Sequence, residues 1–156
     1  MSAALIIVEP SENSYKDIQE ALIIAEPGDV VRLTGGTFFI EDGLSLDVPG
    51  VKIEGEGMDA SILEFSNQKS GAQGLLVTSD NVTLQDFAVV NAKGDAIKSK
   101  GANNISFIRV KTEWTGGPKT TNGAYGLYPV ESENILIDEC VAIGASDAGI
   151  YVGQSK

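Results

Sequence analysis

Apolar residues along this chain recur two positions apart within short segments, and the segments themselves return at regular intervals. One phrase begins with an asparagine and alternates apolar and polar residues, at 81–87, 104–110 and 134–140. Side chains two apart lie on one face of a β-strand. The steps between these phrases are 23 and 30 residues, and a second phrase follows with steps of 22, 30 and 23, at 74–77, 96–99, 126–129 and 149–152. Two phrases that share one period indicate one coil of a solenoid per repeat.

The length of the repeat selects among solenoids. A coil of about 22 residues with two or three short strands cannot bury its apolar face alone, but stacked coils form a continuous core with parallel ladders. No copy is long enough or suitably spaced for a helix, which excludes two-helix repeats. A leucine-rich repeat would need a fixed leucine pattern and a convex-side helix, and both are missing from the sequence. The sequence therefore predicts an all-β fold, a right-handed parallel β-helix with a short N-terminal capping α-helix.

Three asparagines occupy equivalent bends of successive coils: Asn81, Asn104 and Asn134. Asparagine tolerates the left-handed backbone conformation and hydrogen-bonds its own chain, so each one alone is an ordinary turn residue. Because the three are in register, we expect their side chains to stack as a structural ladder.

The two ends of the chain differ. Residues 1–28 are predicted to form a strand and a capping helix, with Ser14 as N-cap and an apolar face at Ile18, Leu22 and Ala25. Residues 29–156 are predicted to form the coils, with insertions at 66–73 and 113–124 that leave the stack as loops. The sequence stops where the next asparagine is due, so we expect a truncated β-helix whose uncapped last coil pairs with another copy as a homo-oligomer.

Composition and charge narrow the partners. A net charge of −11 argues against nucleic acid and anionic membranes. The chain has no histidine. Its single cysteine, Cys140, occupies a position of the repeat whose side chain is expected to point into the core, and it is interpreted as a small buried hydrophobe. No stretch is long enough to span a bilayer, and no signal peptide is recognised at the N-terminus. Six of the eleven basic residues nevertheless lie between 93 and 119, either as a solvated face or as a patch that faces a polyanion.

The opening of the chain resembles a known family. The segments Ile-Gln-Glu-Ala at 18–21, Pro-Gly-Asp at 27–29, Val-Arg-Leu at 31–33 and Gly-Glu-Gly-Met-Asp at 55–59 look like the start of pectin-lyase-like proteins. These proteins are right-handed parallel β-helices, and many act on acidic polysaccharides. The resemblance implies an acidic polysaccharide or oligosaccharide as partner and an extracellular or periplasmic location for the parent family.

A second resemblance concerns chemistry. The segment 125–130, Tyr-Gly-Leu-Tyr-Pro-Val, is similar to the catalytic Tyr-Gly-Phe-Asp-Pro-His segment of mannuronan C5-epimerases. It implies that Tyr125 is a catalytic residue that donates or accepts a proton at C5 of a uronate. Tyr128 stands at the position of that family's Asp and Val130 at that of its His. The sequence thus indicates a relative of uronate epimerases and lyases that is not catalytically complete by itself, and whether it is an enzyme stays open.

The repeat alignment also predicts a binding surface. Lys98, Tyr128 and Tyr151 occupy one position of successive coils, so we expect an outward row spaced by about 4.8 Å per coil. Such a row either stabilises the sheet or binds a saccharide. In the second case the tyrosines and Trp114, on its loop, stack sugar rings, and Lys98 or Lys100 pairs with a carboxylate.

Two acids flank the row. Asp95 and Asp147 immediately precede its strands and are either turn residues or part of the substrate-binding site. There is no compact Asp-rich motif, so no metal or other cofactor is predicted, and calcium is left without a supporting motif. Alternative functions are a non-catalytic carbohydrate-binding β-helix and a structural, self-associating scaffold.

Overall fold

The computed structural model describes residues 2–156, which form sixteen short strands and one helix. The strands make three parallel sheets that wind around one core, which confirms a right-handed parallel β-helix. Sheet A contains β1 (Leu5–Val8), β2 (Val30–Leu33), β5 (Lys52–Glu54), β8 (Val82–Gln85), β11 (Ile105–Ile108) and β14 (Ile135–Asp138). Sheet B contains β3 (Gly36–Phe39), β6 (Ser61–Glu64), β9 (Ala88–Val90), β12 (Lys111–Glu113) and β15 (Val141–Ile143). Sheet C contains β4 (Leu44–Leu46), β7 (Gln73–Val77), β10 (Asp95–Lys100), β13 (Tyr125–Val130) and β16 (Ala148–Ile150).

The register of sheet A follows the asparagine phrases. Phe107 lies beside Leu84 on one side and Ile137 on the other, and Ile105 likewise joins Val82 to Ile135. Phe107 and Leu84 are fully buried. The two-residue alternation of the sequence thus places two apolar files of sheet A inside the coil, and burial of these files holds the coils in register.

The bends preceding sheet A contain the asparagine ladder. Asn81, Asn104 and Asn134 have φ values of 59°, 60° and 59°, in the left-handed region. Nδ2 of Asn104 donates to Oδ1 of Asn81, and Nδ2 of Asn134 donates to Oδ1 of Asn104, each at 3.0 Å. The side chains therefore link three coils while their backbones make the turns.

We predict that Asn104→Ala lowers the free energy of unfolding by about 2 kcal/mol, because it loses both ladder hydrogen bonds and because alanine tolerates the left-handed backbone conformation less well than asparagine does. Asn104→Gly loses the same bonds but accepts that backbone conformation, so we expect it to cost about 1 kcal/mol less than Asn104→Ala. Urea unfolding of the three proteins measures both differences. Equal stability of the alanine and glycine variants would contradict the role of the left-handed bend.

The bends between sheets A and B form another left-handed file, which the sequence reading did not identify. Asp86, Arg109 and Glu139 have φ values of 60°, 48° and 54°. Arg109 donates to both carboxylate oxygens of Asp86, at 2.7 and 3.1 Å. This pairing lowers the pKa of Asp86 and raises that of Arg109.

Helix α1 (Ser14–Ile24) covers the N-terminal end of the coil, where it packs against β1, β3 and β4. Its residues Ile18, Ala21 and Leu22 are buried in the core. The prediction of Ser14 as N-cap is wrong, because Asn13 holds that position and Ser14 is the first helical residue, its hydroxyl bonded to the backbone of Ser11. Strand β1 pairs in parallel with β2, so the segment before the helix is part of sheet A.

The last coil is open on one side. Ile150 stands opposite the fully buried Leu127 but is itself 43 % exposed, because no further coil covers it. Cys140 is partly buried against the core, and burial raises the pKa of its thiol. Self-association through this end stays a prediction.

No helix within residues 2–156 is long and apolar enough to cross a membrane.

Candidate functional site

The outward surface of sheet C contains the row that the repeat predicts. Lys98 of β10 lies beside Tyr128 of β13 in the parallel register, and its Nζ is 5.2 Å from the centre of the Tyr128 ring. The Tyr151 ring lies 5.6 Å from that of Tyr128. A cation over a tyrosine ring is stabilised by about 0.5–1 kcal/mol at an exposed site. The row is therefore a contiguous surface of one ammonium group and two rings.

Tyr125 joins this row, although the sequence analysis treated it separately. Its ring stacks on Tyr151 with centres 4.8 Å apart and planes 13° apart, and lies 4.6 Å from the ring of Tyr128. In β13 both residues between the two tyrosines, Gly126 and Leu127, are buried, so Tyr125 and Tyr128 emerge on the same side. We call the surface formed by Lys98, Tyr125, Tyr128 and Tyr151 the tyrosine face.

The environment of Tyr125 determines its protonation. Burial, and then the charge of Asp147, raise the pKa of the Tyr125 hydroxyl. Tyr125 therefore holds its proton near neutral pH. It is suited to donate a hydrogen bond or a proton and poorly suited to act as a base.

Asp95 lies at the first position of β10, next to the tyrosine face. Its Oδ1 accepts a hydrogen bond of 3.1 Å from the backbone nitrogen of Tyr125, which ties the two coils together. Burial raises the pKa of Asp95, against the opposing effects of that hydrogen bond and of Lys98. Asp147, by contrast, is exposed and precedes β16. The two acids thus flank the face as predicted by their positions, one half-buried and one exposed.

Lys100 is exposed, two positions beyond Lys98 on the same strand, and is therefore directed to the same side. It is the second cation of sheet C that is accessible to a ligand.

Trp114 does not form an exposed stacking surface. Its side chain is only 5 % exposed, and its Nε1 donates a hydrogen bond of 2.7 Å to the backbone oxygen of Ala92. The prediction that it stacks sugar rings from a loop is wrong in this respect, because the indole turns inward and packs against the core. Trp114 also lines a surface cleft.

The basic segment 93–119 divides into two groups. Arg109 pairs with Asp86, and Lys111 lies 2.6 Å from Asp59 and 3.7 Å from Glu113. These two cations are balanced by nearby acids, of which Glu113 lies on the same strand as Lys111 and Asp59 and Asp86 lie on earlier coils. Within residues 2–156 the other four have no carboxylate within 4.0 Å, and they lie on sheet C or on the turns that precede it: Lys93, Lys98, Lys100 and Lys119.

A metal site is not evident in the part of the chain that the structure describes: residues 2–156 contain no group of three or more cysteine or acidic side chains placed to hold a metal ion. The expectation that the protein uses no cofactor stays a prediction.

Comparisons with known proteins support the fold. No protein-family model matches the chain, and no curated protein does. Among solved structures, the chain is similar to the PL6 family alginate lyase AlyGC, with a TM-score of 0.50 and 18 % sequence identity. The similarity covers 97 % of this chain and 28 % of that protein, so the chain spans less than a third of the length of the structure that it matches. At this identity the likeness shows a shared fold.

Proposed function

We propose that the tyrosine face binds an acidic polysaccharide, and that this chain acts as a binding surface rather than as a complete enzyme. The observation that carries the proposal is the contact of Lys98 with the ring of Tyr128, which itself packs against the rings of Tyr125 and Tyr151. Aromatic rings offer an apolar surface for the C–H face of a sugar, and an adjacent ammonium group attracts a carboxylate. A polymer of uronic acids presents both features in every unit.

The shared fold supports this ligand class. The structural neighbour is an alginate lyase, and alginate is a polymer of uronic acids. We therefore propose an acidic polysaccharide or oligosaccharide as the ligand of this chain. Such a ligand implies an extracellular or periplasmic location, which is part of the proposal.

Binding is favoured over turnover by the chemistry at Tyr125. Abstraction of the C5 proton needs a base, whereas Tyr125 has a raised pKa and its neighbours in the motif are Tyr128 and Val130. A second candidate is an epimerase or lyase in which Tyr125 donates the proton, favoured by its position beside Asp147. Incubation with polyuronates, followed by ultraviolet detection of unsaturated products and by NMR of C5 exchange in D₂O, distinguishes the two. The binding proposal expects neither signal.

We expect Lys98→Gln to weaken the binding of an acidic oligosaccharide by about 5- to 10-fold, because it removes one charge-assisted contact to a carboxylate. Isothermal titration calorimetry with an oligouronate and with a neutral oligosaccharide of equal length measures the effect. Lys52→Gln is the matched control, since Lys52 lies in β5 on sheet A and also has no carboxylate within 4.0 Å. Equal losses in the two variants would mean that net charge alone attracts the ligand.

The pH dependence gives an independent prediction at Asp95. Because the pKa of Asp95 is raised in the folded protein, its charged form destabilises the fold above that pKa, and this penalty disappears as the pH falls through it. The same charge repels an anionic ligand. Asp95→Asn keeps the oxygen that accepts from the Tyr125 nitrogen, so we expect it to bind an oligouronate about 2- to 3-fold more tightly at neutral pH.

The native protein and Asp95→Asn are compared in their affinity for the oligouronate, by calorimetry, and in their thermal stability as the pH falls. We expect both differences to narrow, because the native carboxyl becomes neutral like the amide. A difference that stays constant from neutral to acidic pH would contradict a role for the Asp95 charge.

A further inference from the structure

Two of the unpaired lysines meet at a cleft that is separate from the rings of the tyrosine face. The cleft has a volume of about 340 Å³ and is formed by turns that lead from sheet B to sheet C. Lys93 and Lys119 line it together with Trp114 and with mostly small or polar residues. None of its lining residues is acidic, on a protein whose net charge is −11. A cleft of one sign, walled by protein, concentrates counter-ions more than a flat surface does.

The walls of the cleft are fixed by buried contacts. The Trp114 indole is held by its bond to the Ala92 oxygen, and Nδ2 of Asn122 donates to the backbone oxygens of Gly117 and Gly144, at 2.9 and 2.7 Å. The loop that carries Lys119 is therefore tied to the next coil. This cleft is preformed and does not need a ligand to order it.

We propose that this cleft is a second binding site, which takes a carboxylate-bearing sugar unit. The proposal rests on the proposed function for the class of ligand. The lysines supply two cations for the carboxylate, and the hydroxyl groups of Ser66 and Thr121 and the amide oxygen of Asn122 are polar groups of the kind that bind sugar hydroxyls. Its volume lies at the lower end of the range of about 300–1,000 Å³ for small-molecule sites, which suits a short saccharide rather than a long segment.

The position of the cleft relates it to the tyrosine face. Lys93 lies two residues before Asp95 at the start of β10, and the loop of Lys119 leads into Tyr125 at the start of β13. The cleft therefore lies at the edge of sheet C where these strands begin. A saccharide longer than the cleft can contact both sites, whereas a uronic acid disaccharide is short enough to bind in the cleft alone.

The only tryptophan of the chain reports on the cleft, since Trp114 lines it. We expect a uronic acid disaccharide to change Trp114 fluorescence saturably, and a neutral disaccharide and inorganic sulfate at equal ionic strength to leave it unchanged. The double variant Lys93→Gln, Lys119→Gln should bind the acidic disaccharide at least ~10-fold more weakly. Lys69→Gln lies in the same turn as Ser66 but does not line the cleft, so it is the control and should bind as the native protein does.

The outcomes separate this proposal from the function of the tyrosine face. If longer oligouronates bind by calorimetry with the expected dependence on Lys98, but the disaccharide leaves Trp114 silent and the double lysine variant has no effect, the cleft proposal is overturned alone. A response to sulfate equal to that of the disaccharide would also overturn it, since the cleft would then be an unspecific anion site. Loss of binding in the double variant, with native thermal stability, supports it.

Discussion

Gly123→Ala will destabilise the protein by about 3 kcal/mol, at the upper end of the cost of overpacking a buried site. Gly123 is buried where the insertion rejoins sheet C. A Cβ built on it would overlap the Gly94 oxygen, and would lie 2.5 Å from the Gly94 carbonyl carbon and 2.8 Å from Cζ2 of Trp114. Because two of these atoms belong to the backbone of the preceding coil, the clash cannot be relieved by a side-chain rotation, and the coils must separate.

The control for this variant lies in the same insertion. A Cβ on Gly116 would meet only the flexible end of Lys119, at 3.2 Å from its Nζ, so Gly116→Ala should leave stability nearly unchanged. Urea unfolding followed by the fluorescence of Trp114 measures both variants. Gly123→Ala with native stability would show that the coils are not in the close contact described.

The double variant Tyr128→Thr, Tyr151→Thr will bind an acidic oligosaccharide about 30-fold more weakly than the native protein, a loss of about 2 kcal/mol. The two rings form most of the apolar surface of the tyrosine face, and Tyr125 loses both of its aromatic contacts with them. Threonine favours a strand, so the change removes the rings without disfavouring the sheet.

A matched variant on another surface tests the specificity of this effect. Phe39 is 55 % exposed at the end of β3 on sheet B, so Phe39→Thr removes an exposed aromatic ring that is not part of the tyrosine face. We expect it to bind the oligosaccharide as the native protein does. Similar weakening by Phe39→Thr would indicate that the ligand associates with exposed aromatic residues in general.

The repeat explains how much of this structure was readable from the sequence. Once the coils are stacked, residues at equivalent positions of the repeat lie one above another and point in the same direction, so the asparagine ladder and the row of Lys98, Tyr128 and Tyr151 follow from spacing alone. The Asp86–Arg109 pair could have been found in the same way, because the two residues are 23 positions apart, which is one coil.

Other features depend on the course of the backbone in the insertions and turns, which the period of the repeat does not determine. Trp114 follows β12 directly, at the beginning of an insertion, and whether it turned inward depended on the space beside Ala92. The contact of Tyr125 with Tyr151 arises from the two consecutive buried residues in β13, which interrupt the strict alternation used to assign directions. The cleft required three separate turns to be placed side by side.

The proposed binding surface is tested most directly by calorimetric titration of the native protein with an oligouronate and a neutral oligosaccharide of equal length, repeated with the Tyr128→Thr, Tyr151→Thr variant. We expect saturable binding of the acidic ligand alone, weakened about 30-fold in the variant while thermal stability is retained. Equal binding of the two ligands, or unchanged affinity in the variant, would contradict the assignment of sheet C as the binding surface.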